Sequence, residues 1–441
     1  MAGVCFAGVI AGMWSESALV PATIALAATF ALYRPALGLI VMTFMIPFDL
    51  SLEVGPSRLP LPAVLLVTLA LVVMLRRLLL DRGMVTWSPV DRLVLLFAGA
   101  TGLSLLGMGG HLQDQLTGLA TAAAGFLLFF LVGQSLATRN DVWLVMAAAI
   151  VTGLLQASST TIAVLTGAQP VTEWNRATGP ELDPNHFAGF LVLIIPLLVG
   201  LGIAFRPRWT TMVTLLATLP LFVALFATLS RSGWLGLVAS AIVLAAVLPE
   251  RRWRLAAVAA ALSLLLFLPA VAAPIGERLG PHALGPWEML SSRWIVWTAS
   301  IGMAAHHAIF GVGVGNFGNY FPAYVGYPGH LAHAHNLFLN IAAERGLLGL
   351  VTFVVVLAGL LRALIMARRA ASLLDRAAAA GLMAAFSGYL VHSLFDVSYY
   401  DFKVLLLFWL LAGVSAALPR LMMRPGREAA DDRVVQAGAW S

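Results

Sequence analysis

Apolar runs of roughly twenty residues recur along almost the whole chain, and they constrain the fold more than any other feature. A helix needs about 20 predominantly apolar residues to cross a hydrocarbon core about 30 Å thick. Within lipid every backbone polar group needs an internal partner, so such runs become helices. Of the 441 residues, 61% are hydrophobic and 10% charged, and the mean hydropathy is +0.93. The expected fold class is all-α: a polytopic integral membrane protein of about 12–14 transmembrane helices with a helical outer loop.

The apolar runs set the expected organisation. Residues 1–167 form an N-terminal transmembrane bundle, with two or three short apolar segments near 2–13, 17–33 and 36–47 and spans near 60–79, 91–109, 116–137 and 142–166. Arg34-Pro35 breaks the segments 17–33 and 36–47 apart. Residues 168–272 hold central spans near 186–204, 210–229, 233–248 and 254–272. The region 273–345 is too polar and too broken by Gly and Pro to be membrane core, so it reads as a large loop with amphipathic helices. Residues 346–418 return to the membrane with spans near 346–366, 377–396 and 402–418, and 419–441 form a polar tail.

The formal net charge of +6 is small for this length, and the basic residues are almost all arginine, Lys403 being the only lysine. They sit in short loops between spans, where they act as topology signals and not as a nucleic-acid surface. The single Cys5 excludes a disulfide framework or a cysteine metal site.

If each run crosses once, most arginines fall on one side: Arg76, Arg77, Arg82, Arg92, Arg139, Arg206, Arg208, Arg251, Arg252, Arg254, Arg368, Arg369, Arg376, Arg420, Arg424 and Arg427. By the positive-inside rule that side is the cytoplasm. The loop 168–185, the turn at Ser230-Arg231-Ser232, the loop 273–345 and the turn 396–401 are then outside, which in a Gram-negative bacterium is the periplasm. Arginines on that outer side need a local reason. Arg58, Arg176, Arg231, Arg278, Arg293 and Arg345 are the exceptions, and nothing in the sequence gives Arg58 a role.

Two of them open helices. Arg231 lies where one span ends and the next begins, and Arg293 follows Ser291-Ser292 at the start of an amphipathic helix running to about Phe310. Free N–H groups and the helix dipole make such ends anion sites, which an arginine strengthens. Two of them on one side suit a diphosphate. Asp183-Pro-Asn-His-Phe187 reads as another helix start, with Asp183 as cap, Pro184 at the first position, and Asn185 and His186 near the membrane plane where a sugar or phosphate is within reach. Arg176 precedes it in the same loop.

The most polar stretch is Gly329–Gly349, with three histidines, two asparagines and a Glu-Arg pair among hydrocarbon. Unpartnered polar groups near a bilayer are expensive, so they are kept for function. Asn336, Asn340 and Glu344 recur at i, i+4 and share one helix face. His335 lies off that stripe, just before a helix capped by Asn336. His330, His333 and His335 have the spacing H-x-x-H-x-H without nearby cysteines or an evident fourth ligand, so no metal is expected, and His335 is read as a general base or orienting group. Gly313–Gly318 matches G-x-G-x-x-G without any βαβ context, and reads as a turn bringing the Arg293 helix near the histidines. His392 and Asp396, four apart, close a late span at the outer face.

In chain order these stretches resemble the O-antigen ligase and polysaccharide polymerase superfamily: Asp183-Pro-Asn-His-Phe, Ser230-Arg-Ser-Gly-Trp, Arg293-Trp-Ile-Val-Trp, Gly311-Val-Gly-Val-Gly-Asn-Phe, His333-Ala-His-Asn-Leu-Phe, Glu344-Arg-Gly-Leu-Leu-Gly and His392-Ser-Leu-Phe-Asp. The resemblance covers roughly 170–400. It implies a GT-C type, inverting, metal-independent glycosyltransferase without cofactor, taking glycan from undecaprenyl diphosphate at the periplasmic face. Its acceptor would be lipid A–core in a ligase or a glycan chain in a polymerase. Arg231 and Arg293 match the family's diphosphate-holding arginines, His335 the acceptor-activating histidine, and Asp396 a late acidic position. Arg176, Asn185, His186, Asn336, Glu344 and Asp396 are expected to line the substrate site. A transporter would instead carry mid-span charges, paired broken helices and an internal repeat.

Overall fold

The computed structural model describes residues 16–422 apart from 49, 55–56, 82–84, 108–110, 170, 172–175, 180–182, 205–207, 249–257, 259–292, 327–330 and 370–371. The expected span near 254–272, together with Arg278, Ser291, Ser292 and His330, lies outside the described residues, Val258 apart.

The chain is nearly all helix. In order come α1 (Glu16–Tyr33), α2 (Pro35–Met45), α3 (Leu61–Arg76), α4 (Pro89–Leu103), α5 (Leu112–Ser135), α6 (Arg139–Leu165), α7 (Pro184–Ala204), α8 (Arg208–Ala227) and α9 (Arg231–Val247). Then follow α10 (Arg293–His306), α11 (Phe317–Val325), α12 (Leu337–Ala367), α13 (Leu373–His392) and α14 (Phe402–Met422). Pro35 stands at the first position of α2 after an extended Arg34, which is why two short helices replace one. The polar stretch after α2 forms an antiparallel hairpin, β1 (Ser51–Val54) with β2 (Ser57–Pro60), instead of a plain loop.

Among the described residues, 7 helices are long and apolar enough to cross a membrane, the longest spanning Leu337–Ala367. Four more apolar stretches are shorter: Leu19–Tyr33, Pro35–Met45, Met212–Ala227 and Arg231–Val247. α13 carries Asp375 and Arg376 in its first turn, which dilutes its apolar length.

α14 is the hub, with 83% of its apolar window buried against 22% for α3, which places α3 at the periphery. Trp409 and Phe408 of α14 are fully buried. Gly125 of α5 leaves the space that the Trp409 ring fills, so a Cβ there would overlap it. α13 packs closely on α7 and α9. Its small residues permit this: Gly388 meets Gly236 of α9, and Gly381 meets Gly200 of α7. Close backbone approach through small residues is how helices associate where lipid supplies no hydrophobic drive.

The basic loops gather at one end of this bundle. Arg34 pairs with Asp141 at 2.6 Å, and Arg139 Nε donates to Asp375 at 2.7 Å. Arg368 donates to the Val247 carbonyl at 2.7 Å, Arg77 to that of Gln134 at 2.6 Å, and Arg420 to Thr86 at 2.8 Å. Capping boxes at Ser88–Asp91 and Thr138–Asp141 start two helices there. The other end carries α10, α11 and the polar segments.

The loop 308–316 grips α12 at a break. Gly346 has φ 65° and ψ −170°, so α12 changes direction there and frees backbone groups. Val312 and Gly313 N–H donate to the Ala343 and Glu344 carbonyls at 2.9 and 3.0 Å, and Leu347 N–H donates to Ala308 at 2.7 Å. Gly311, Gly313 and Gly315 all adopt positive φ to follow this path. The expected boundary between loop and span at 345/346 thus falls on a kink inside one helix.

Candidate active site

Arg231 is the first residue of α9. Leu229 turns the chain with φ 49°, and Ser230 caps the helix, its hydroxyl accepting from Gly233 N–H at 3.3 Å. The Arg231 side chain is exposed. Beside it, Arg176 is committed to the protein: Nε donates to the Thr228 carbonyl and one terminal nitrogen to Asn185 Oδ1, both at 2.7 Å. Asp183 accepts from Asn185 N–H at 2.8 Å at the start of α7. Arg176 and Asn185 therefore brace the loop before α7 against the α8–α9 turn.

Arg293 opens α10. One turn on, Trp297 faces Phe395 with ring centroids 6.4 Å apart, which seats α10 over the turn that carries Asp396. Burial lowers the Arg293 guanidinium below its usual range; the Asp396 carboxylate offsets part of this and the Arg231 charge adds to it. Arg231, Arg293 and Asp396 thus share one electrostatic neighbourhood. No hydrogen bond or ion pair engages either arginine among the described residues. Two such arginines at helix N-termini are suited to an anion.

His335 stands where the outer segment enters α12. Asn336 caps the helix, its side-chain oxygen accepting from Phe338 and Leu339 N–H at 3.0 and 3.1 Å. Its amide donates to the Leu394 carbonyl at 3.0 Å, and Leu337 N–H donates to Ser393 at 2.8 Å. Asn340 Oδ1 accepts from Ala334 N–H at 2.7 Å. So Asn336 and Asn340 fix the segment on either side of His335, which is left with φ 49°. A non-glycine residue held there is uncommon and marks a position that its surroundings over-determine.

His335 Nδ1 is 3.9 Å from Asp396 Oδ1, a charge-pair distance longer than a hydrogen bond. Asp396 is buried, and its Oδ1 also accepts from Val397 N–H at 2.7 Å. Burial works to raise this carboxyl, but the pairing with His335, the nearby His392 and the Val397 N–H hold it well below the usual carboxylate range. The expectation that His392 and Asp396 share a helix face is corrected: α13 ends at His392, and the chain leaves the helix because the Ser393 and Leu394 carbonyls turn to α12. Asp396 reaches the site from that turn.

His333 lies with its ring centroid 4.5 Å from that of His335 and 6.4 Å from that of His186. Burial first, and the neighbouring His335 second, push His333 down to about 4. His186 Nδ1 is 3.6 Å from Asp401 Oδ2. The ligand atoms of His186, His333 and Asp396 all lie within 4.8 Å of one another.

Glu344 and Arg345 belong to a second, buried cluster. Tyr400 donates to Glu344, Arg345 Nη1 donates to Tyr400 at 3.1 Å, and the Arg345 guanidinium lies over the Phe97 ring at 5.9 Å. This pairing gives Arg345, one of the arginines set apart by the sequence, its local reason. Glu344, Arg345 and Tyr400 line a cavity of about 240 Å³ with Asp114, Thr117 and Thr121 of α5. Nothing in Ser398-Tyr-Tyr-Asp401 sets Tyr400 and Asp401 apart from an ordinary turn before an apolar run.

The chemistry such a site supports is group transfer at an anionic centre, with cations at helix ends beside a histidine–carboxylate pair. A comparison with curated proteins finds no match. Residues 216–354, from α8 into α12 and including Arg231, Arg293 and His335, match the O-antigen ligase family model. Over this segment the match supports the O-antigen ligase and polymerase superfamily.

Proposed function

We propose that this protein is a glycosyltransferase of the bacterial inner membrane that moves a glycan from undecaprenyl diphosphate to an acceptor on the periplasmic face, as an O-antigen ligase with lipid A–core as acceptor. The observation that carries this reading is the convergence of Arg231, Arg293, His335 and Asp396 at the end of the bundle opposite the basic loops. The positive-inside rule makes that end periplasmic.

In the reaction the acceptor hydroxyl oxygen attacks the anomeric carbon while the bond to the diphosphate oxygen breaks. The hydroxyl proton goes to His335, and Asp396 stabilises the imidazolium that results. The leaving diphosphate gains charge, which Arg231 and Arg293 stabilise from fixed positions at two helix ends. Attack opposite the leaving group inverts the anomeric centre. These groups supply both the base and the charge stabilisation, so the transfer runs without a metal. Arg176 and Asn185 hold the rim near the sugar, with His186 beside them. Asn336 fixes His335, and Glu344 anchors the α12 start above the cavity.

Deletion of the gene with gel analysis of lipopolysaccharide tests this. Core lacking all O-chains is the expected result. Core bearing a single repeat would make the enzyme a polymerase, and normal lipopolysaccharide with lost capsule would assign it to another polysaccharide.

A further inference from the structure

We infer that His186, His333 and Asp396 form a binding site for a divalent transition-metal ion of the zinc type, and that the bound ion blocks transfer by drawing Asp396 away from His335. The three come from separate segments: the first turn of α7, the irregular approach to α12, and the turn after α13. Their ligand atoms lie within 4.8 Å of one another. Zinc–ligand bonds of about 2.0–2.2 Å need donors somewhat closer than this, a gap that small side-chain rotations close. Two imidazoles and one carboxylate suit zinc and its neighbours, whereas magnesium and calcium take oxygen donors.

Two further observations point to a cation. Asp396 Oδ2 is buried and has no hydrogen-bond partner among the described residues, and an orphaned buried carboxylate oxygen calls for one. His186 Nδ1 faces Asp401 at 3.6 Å, leaving Nε2 for a ligand. A carboxylate behind a histidine is the arrangement that orients metal-binding imidazoles. The charges of Arg231 and Arg293 oppose any cation, so the site selects ions that coordinate nitrogen tightly over ions held by charge alone. The spacing His330, His333, His335 conceals this set, because only His333 of that run takes part.

The binding half of the inference is independent of the proposed reaction; the inhibitory half rests on it. The test uses full-length protein with a non-histidine affinity tag, stripped of metal and titrated with Zn2+ by calorimetry and with Co2+ by visible absorption. One equivalent of Zn2+ per chain is expected, with affinity weakened at least about tenfold by His333→Ala and also reduced by Asp401→Asn, which acts from behind His186. A Co2+ ligand-field band in the unaltered protein should vanish in His333→Ala, with gel filtration checking that each variant is folded. No saturable Zn2+ binding, or binding unchanged in both variants, overturns the site. Zn2+ should also inhibit donor cleavage, with reversal by EDTA and a tenfold weaker effect in His333→Ala. One-to-one binding without inhibition overturns the blocking role alone. Activity lost to EDTA and restored by Zn2+ overturns the blocking role and the metal-free reaction together.

Discussion

His335 pays a conformational penalty of roughly 1–2 kcal/mol to stand at φ 49°, and Asn336 and Asn340 hold it there from both sides. Its place beside a capped helix start was legible in the sequence, because a histidine off a polar stripe points away from the helix it precedes. Asp396 was legible as a residue but not in its geometry, since helix spacing from His392 implied a contact that the end of α13 abolishes. Asp401 and Tyr400 were illegible, because their roles arise from elements that meet only in three dimensions. If His335 is the base, His335→Ala should lower turnover by about 10²–10⁴-fold with donor KM little changed. Asp396→Asn should cost less, since the base remains and only its orientation and charge support are lost. Steady-state kinetics on purified protein decide this; equal and small effects of both variants on turnover would remove the pair from the chemistry.

At the scale of elements, helix positions followed from the apolar runs, and the described boundaries differ mainly at the ends. The break in α12 did not follow. Glu344-Arg-Gly-Leu reads as uninterrupted helix, and only the incoming loop 308–313, with its own glycines, shows why Gly346 leaves helical φ/ψ. A Cβ at Gly346 would overlap the Ile309 carbonyl, on top of the cost of positive φ. Gly346→Ala should therefore destabilise the protein by more than roughly 1–2 kcal/mol. It should also reduce transfer, because α10 and its Arg293 lose their grip on α12. A lowered unfolding midpoint in detergent is the expected readout, and an unchanged midpoint would show that the kink is dispensable.

For the whole molecule, arginine placement carried the most information. Of the arginines assigned to one side, Arg77, Arg139, Arg368 and Arg420 make an ion pair or carbonyl and hydroxyl contacts at one end. The helix-end arginines lie at the other. Single cysteines placed at Ala137 and Ala332, both exposed, test the orientation in a variant lacking Cys5. A membrane-impermeant thiol reagent reaching the periplasm of whole cells should label Ala332→Cys and spare Ala137→Cys; the reverse pattern would turn the site to the cytoplasm.

In the proposed reaction Arg231 and Arg293 stabilise a departing lipid diphosphate. The direct measurement is release of polyprenyl diphosphate from a lipid-linked glycan by the purified protein, in EDTA, with acceptor present. Arg231→Ala and Arg293→Ala should each slow release by about 10²–10³-fold while the folded variants still insert in membranes. Release at the unaltered rate in both variants would remove the two arginines from the diphosphate site.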